Sequence, residues 1–278
     1  MSARLAPGFD RIVRHAVLGL QCRDAVDGRV VADGLRVRLH DGWRSGWTAE
    51  LAANRSGVFV LHAAPGLHGF GAAVAVVSPA EPGRWRLEIE DVQGRYLPVA
   101  AEPLLPLDEL FGVGPGAAPA SPPDALPYVP LYSAPTRPLP PALQALRVEL
   151  RRAADPDAPA AWTRLELWLG TQRLAEGLAG ADGQALLVFP LPRPREVPIG
   201  VSPAEAGERF EWTVELRAFR SAAVAAEPWP TLASLLAQPS AALLDAGSPP
   251  LPPAPLVLRA GVPLVARGAT ASYLTVAD

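Results

Sequence analysis

Apolar and polar residues alternate in short runs along most of the chain. "LRVRLH" (35–40), "VFVLHA" (58–63) and "WRLEIE" (85–90) follow this grammar in the first part. "LRVEL" (146–150), "TRLELWL" (163–169), "ALLVF" (185–189) and "EWTVEL" (211–216) follow it in the second. Successive side chains of a strand point to opposite faces, so this text predicts strands with one buried and one wet face. Turn chemistry separates them: Asp27-Gly28, Asp33-Gly34, Asp41-Gly42, Ser56-Gly57 and Asp182-Gly183 supply the positive φ of tight hairpins. Short strands with such frequent turns predict antiparallel β-sandwich architecture.

The chain also aligns with itself. Gly57 in "RSGVFVLHA" falls on Gly183 in "DGQALLVFP", 126 positions on. Trp85 falls on Trp212 at 127, within a shared Trp-x-apolar-Glu-apolar pattern. Upstream, Leu18, Leu20, Leu35, Val37 and Leu39 face Leu146, Val148, Thr163, Leu165 and Leu167 at 128. Features kept in order at a nearly constant offset predict an internal repeat, and so two tandem sandwiches, over residues 10–100 and 143–222. The apolar strand "RLELWLG", the weaker strand "RLAEGLA", the Ala181-Asp182-Gly183 turn and the outgoing strand "QALLVFPLP" resemble the carboxypeptidase-regulatory-like, transthyretin-like modules. That resemblance implies a small sandwich in each copy and no chemistry.

Two segments lie outside the copies. Residues 101–142 read as a Pro-rich connector, with a flexible tip over Gly112–Asp124. Its end, "YVPLYSAPTRPLPP", favours extended polyproline, either as a ligand for an aromatic groove or as a stiff spacer anchored by Tyr128 and Tyr132. In residues 223–278, Thr231 is a helix cap ahead of Leu232, Leu235, Leu236, Leu243 and Leu244, a stripe broken at Pro239 that predicts one kinked or two short helices. The tail "APLVLRAGVPLVARGATASYLTVAD" predicts a hairpin or three short strands with breaks at Ala260-Gly261 and Gly268. Its ladder groups must complete one of the sandwiches or join a neighbour's sheet.

Composition narrows the function. The 278 residues are 49% hydrophobic, enough for a core, and the net charge of −3 includes no basic block, so no nucleic-acid face is suggested. Pro occurs 33 times, which argues against long helices. With one cysteine, Cys22, an intrachain disulfide is excluded. Arg11, Arg14 and His15 interrupt the N-terminal apolar residues, so no signal peptide is expected and the protein reads as cytoplasmic, leaving the cell only as part of a particle. No run approaches the roughly 20 apolar residues of a membrane helix.

Candidate chemistry is sparse. His62 and His68 stand six apart, with His40 and Asp41 as further ligands in principle, but without tight metal-ligand spacing. Glu88 and Glu90 share one strand face beside Asp91, an arrangement that suits a solvated face better than a pair of general acids. Cys22 lies on an alternating strand as a core residue, and Trp85, Trp162 and Trp212 read as core. No nucleophile elbow, phosphate loop or dinucleotide fingerprint occurs, so no enzyme, metal or cofactor is expected. Trp43, Arg44 and Trp47 in "DGWRSGWTAE" have the composition of an interface hot spot, and Tyr128, Tyr132 and Tyr273 complete the candidate partner-binding set.

Segments such as "GVFVLHAAPGL", "IEDVQGRYLPV", "PLYSAPTRPLP" and "PLVLRAGVPLVARGATASYL" are similar to proteins of phage-tail-like contractile injection system clusters in high-GC bacteria. This resemblance implies a structural or adaptor subunit of a large assembly, at a baseplate, collar or cap, with other subunits or further copies as partners. The alternative is a carbohydrate- or surface-binding module that uses Trp43 and Trp47.

Overall fold

A computed structural model of the chain describes residues 16–43, 46–66, 83–103, 105, 128–193, 210–247 and 251–277. The fold is mostly β, as the alternation predicts, and its strands form three sheets.

The first sheet holds β1 (Leu18–Asp24), β2 (Val30–Val31), β3 (Leu35–Asp41), β4 (Thr48–Ala53), β5 (Val58–Leu61), β6 (Trp85–Asp91), β7 (Val99–Ala101) and β8 (Tyr128–Leu131). Their order is β2-β1-β5-β4-β3-β6-β7, with β8 added parallel to the free side of β1. Two separate antiparallel sheets were expected here; one continuous, curled sheet is found. The cause is the β4–β5 hairpin, which stays paired at Ala52↔Val60 and Ala53↔Phe59 and so leaves no break. Asn54 tightens that turn, its Oδ1 accepting from the amides of Ser56 and Val58. Curling also brings distant segments together. The amides of Leu97 and Ala134 donate to the carbonyls of Tyr132 and Arg95, at 2.9 Å each.

Inside the curl lie Leu18, Leu20 and Cys22 of β1, Val37 and Leu39 of β3, and Trp85, Leu87 and Ile89 of β6, all buried. The alternate positions Arg36, Arg38, His40, Arg86, Glu88 and Glu90 form the outer, wet face. Two short helices, α1 (Ala222–Ala225) and α2 (Leu232–Leu236), add Val224, Leu232 and Leu235 to the same core.

The remaining strands are β9 (Leu143–Arg152), β10 (Arg164–Leu169), β11 (Gln172–Leu178), β12 (Gln184–Pro190), β13 (Glu211–Phe219), β14 (Ser240–Ala241), β15 (Leu243–Asp245), β16 (Leu256–Arg259), β17 (Leu264–Ala266) and β18 (Leu274–Val276). They form two five-stranded sheets. One is β11-β10-β13-β14 with β16 on β13; the other is β12-β9-β18-β15 with β17 on β9. Leu146 and Leu150 from one sheet, and Leu165, Leu167 and Trp212 from the other, share one core. The architecture is not purely antiparallel, because β8 runs parallel to β1, and β17 and β18 run parallel to β9.

Two expectations for the later segments change. Thr231 does cap a helix, its hydroxyl accepting from the Ser234 amide, but only α2 follows. Past Pro239 the chain is extended, because Ser240–Ala241 pairs with β13 and Leu243–Asp245 with β18. Pro239 cannot donate within a helix, and two ladders take up the residues after it. The tail forms three short strands that pair with β13, β9 and β15 of this same chain, so it completes its own sheets. Of the two fates expected for its ladder groups, it takes the pairing within this chain rather than with a neighbour's sheet. The end of the Pro-rich connector is likewise extended in a ladder: β8 is an edge strand, where Pro130 costs no hydrogen bond. Gly112–Asp124, the tip read as flexible, lies outside the described residues.

Candidate functional site

The loop between β3 and β4 holds the most exposed large aromatic side chain of the described residues. Asp41 ends β3, and its Oδ1 accepts the Trp43 amide at 2.9 Å, an Asx turn that fixes where Trp43 leaves the sheet. Arg84, next to β6, donates from Nη2 to Asp41 Oδ2 at 3.2 Å and to the Pro65 carbonyl at 3.0 Å. Held this way, its guanidinium lies between two indoles, 4.6 Å from the Trp85 ring and 5.2 Å from the Trp43 ring. Trp47 turns back and meets Trp85 edge-on, centroids 5.7 Å apart. The result is a stack, Trp43–Arg84–Trp85–Trp47, rooted in the first core. Its outer member, Trp43, is 62% exposed.

The predicted pair therefore divides. Trp47 packs inward and supports the stack, whereas Trp43 presents a face outward. Arg44 lies outside the described residues. Sequence reading missed Arg84, whose role depends on a pairing it could not see: Asp41 faces Trp85 across the β3–β6 ladder.

The tyrosines do not join this site. Tyr128 is half-exposed on β8 under the Arg23 guanidinium, 4.9 Å away. Tyr273 is half-buried, with Arg151 5.9 Å from its ring. Tyr132 is buried and its hydroxyl donates to Glu176 Oε1 at 3.3 Å; burial and then the Glu176 charge push its pKa well up. It anchors the first core to β11.

The titratable groups serve the scaffold. Burial pushes the Cys22 thiol up to about 12, which keeps it protonated and inert. Burial alone would raise Asp24, Asp91 and Glu166. Hydrogen bonds and charge from Arg137, Arg95 and Arg164 respectively, joined by the Trp168 indole at Glu166, outweigh burial and hold all three below the usual carboxylate range. A general acid needs the opposite shift. His40 stands between Thr48 Oγ1 (3.0 Å from Nδ1) and Glu88 Oε2 (3.1 Å from Nε2). This hydroxyl–imidazole–carboxylate row resembles a nucleophile relay. It lies within a ladder, however, where β4 and β6 flank β3 and take up its main-chain groups, so among the described residues no amide of β3 faces an oxyanion above the sheet. His62 is exposed and His68 lies outside the described residues. Among the described residues no three His, Cys, Asp or Glu are grouped to hold a metal, and no helix is long and apolar enough to cross a membrane.

No protein-family model matches the chain, and no curated protein matches it. Among solved structures, the Bacillus anthracis TIE protein is similar over 73% of this chain and 30% of its own length, at 10% identity and a TM-score of 0.21. The chain thus spans less than a third of that protein, and a likeness of that size assigns neither fold nor function.

Proposed function

We propose that the chain is a non-enzymatic structural or adaptor subunit of a multi-protein particle, built from two copies of one β module. Matched registers support the repeat. Leu18↔Leu61 in the first copy corresponds to Leu146↔Leu187 in the second, and Val37↔Leu51 to Leu165↔Gly177. Each copy also gains a late parallel strand at the same place, Cys22↔Val129 and Leu150↔Leu274. This makes Tyr128–Leu131 ("YVPL") the counterpart of Tyr273–Val276 ("YLTV"), and extends the first copy beyond residue 100. The arginines correspond as well: Arg23 lies over Tyr128, and Arg151, its counterpart, over Tyr273. The Trp85–Trp212 match slips by two residues, since Leu39↔Leu87 corresponds to Leu167↔Leu216 and sets Trp85 against Val214. A slip of two keeps the side chain on the same face.

One observation carries the assembly reading. Trp43, a tryptophan supported by Arg84, is presented to solvent at the end of a stack rooted in the core, as in the anchor of an interface hot spot. The particle class, a phage-tail-like contractile injection system, rests on the sequence resemblance alone. Measuring the mass of the native protein with its bound partners, taken from its own cells, tests the proposal. A large complex containing sheath or tube subunits is expected, and a clean monomer overturns it. The free face of Trp43 also suits a sugar ring, so a monomer that loses glycan retention on Trp43→Ala would favour the surface-binding alternative.

A further inference from the structure

The repeat sets Trp162 on Gly34, one residue before Thr163 on Leu35. Both end the turn ahead of a strand, β10 and β3, and both have positive φ, +56° and +70°. Gly34 takes that conformation freely, whereas a bulky L residue does so only at an energetic cost. Among the described residues Trp162 is the one non-glycine that does. Its neighbours hold it there. The Ala160 amide donates to the Leu150 carbonyl at 2.9 Å, and the Thr163 carbonyl accepts from the Ala179 amide at 2.9 Å. The Thr163 hydroxyl donates to the Ala160 carbonyl at 2.8 Å, and Gln238 Nε2 donates to the Trp162 carbonyl at 2.9 Å.

The side chain does not go to the copy that carries its backbone. Ala160 lies in the second core, but Ala161 packs against the first core and the Trp162 ring is buried in it. Leu178, at the end of β11, and Leu235 of α2 are buried in the same core. A tryptophan is thus kept in strained geometry where its counterpart is glycine, and it fills the other copy's core. Glycine would make the same turn without strain, so what the strain serves is the contact across the copies.

We propose that Trp162 is an inter-module key, which locks the two copies into one rigid body that opens as a unit. With its backbone tied to β9 and β11 and its ring in the first core, it cannot leave that core unless the turn ahead of β10 gives way. The Tyr132 hydroxyl on Glu176 is a second link between the copies. A locked body holds the Trp43 face at a fixed orientation to the second copy, as a subunit that spaces its neighbours requires. A tethered binding module has no such need. The counterpart position rests on the repeat proposed above, and the key deepens the structural-subunit reading.

The test compares the opening of the two cores in urea, on the isolated full chain. Cys22, the single cysteine, is buried in the first core and reports its opening by reaction with a thiol reagent. Amide protection over Leu146–Leu150 of β9 reports the second core. In the wild type the two should share one midpoint. In Trp162→Gly they should part, Cys22 reacting at about 1 M urea or more below the loss of β9 protection. Trp162→Leu, which fills part of the site, should part them less and carries the test if the glycine variant does not fold. Tyr132→Phe, which removes only the bond to Glu176, should leave the midpoints together. Separate midpoints in the wild type, coincident midpoints in the Trp162 variants, or an equal separation in Tyr132→Phe overturns the key. A native mass without partners would overturn the assembly reading and leave this result standing.

Discussion

Arg137 closes on Asp24 with both terminal nitrogens, a buried, bidentate pair between residues 113 positions apart. Tyr96 donates its hydroxyl to the same carboxylate at 2.9 Å, the Val26 amide donates at 2.9 Å, and Ser133 accepts from Arg137 at 2.8 Å. The pair clamps the chain after β8 onto the end of β1, and so holds the parallel strand against the first sheet. Replacing Arg137 alone leaves a buried carboxylate uncompensated, which costs about 3–5 kcal/mol. Arg137→Met should lose about that much in urea unfolding at neutral pH. The double variant Asp24→Asn, Arg137→Met should recover part of the loss, since no charge is then left buried. A double variant as unstable as Arg137→Met would mean that the clamp acts through shape rather than charge.

Acid should weaken the fold through the same groups. The folded-state pKa values of Asp24, Asp91 and Glu166 are depressed. The folded state therefore binds fewer protons than the unfolded chain as pH falls through the ordinary carboxylate range, about 4. The stability they contribute is present above that range and declines toward the lower folded values. Urea midpoints should stay level from pH 7 to about 5 and fall below about 4. In Arg137→Met the Asp24 share of that fall should vanish and the decline should become shallower.

How much of this was legible in the sequence depended on the range of the interaction. Alternation in "WRLEIE" placed Trp85, Leu87 and Ile89 inward, because period two is a local property of a strand. The partner of a strand is not local. Leu243 and Leu244 continue a helical stripe on paper, yet β18, thirty residues on, supplies the ladder that makes them a strand. Trp43 and Trp47 look equivalent in "DGWRSGWTAE", and only the position of Trp85, brought beside Asp41 by the ladder, decides which of them turns inward. Arg137 carried no signal at all within a Pro-rich stretch, since its significance is Asp24.

The two turn glycines should respond differently to alanine. Gly57 and Gly183 both have positive φ, +73° and +78°, where an L side chain costs about 1–2 kcal/mol. At Gly57 a Cβ would meet the Val30 side chain, which can rotate away. At Gly183 it would strike the Leu150 carbonyl, fixed by the ladder of β9 and by the Leu150 amide's own bond to the Gly183 carbonyl at 2.8 Å. Gly57→Ala should stay near the φ penalty, and Gly183→Ala should exceed it clearly in thermal unfolding. Equal losses would show that the β12 turn can shift away from β9.

The tryptophan stack separates a scaffold role from a binding role within one chain of contacts. Trp85 is buried and carries both Arg84 and Trp47, so Trp85→Ala should cost about 3–5 kcal/mol of stability. Trp43 is the exposed end, its ring resting on a guanidinium that Asp41 and the Pro65 carbonyl hold independently. Trp43→Ala should therefore change stability by no more than about 0.5 kcal/mol. If Trp43 anchors an interface, the same variant should weaken partner binding by about 2 kcal/mol or more. Unfolding curves and co-purification of the two variants, compared side by side, read both quantities. A Trp43→Ala protein that is stable and still retains every partner would remove Trp43 from the interface and leave the stack as reinforcement of the β3–β4 loop.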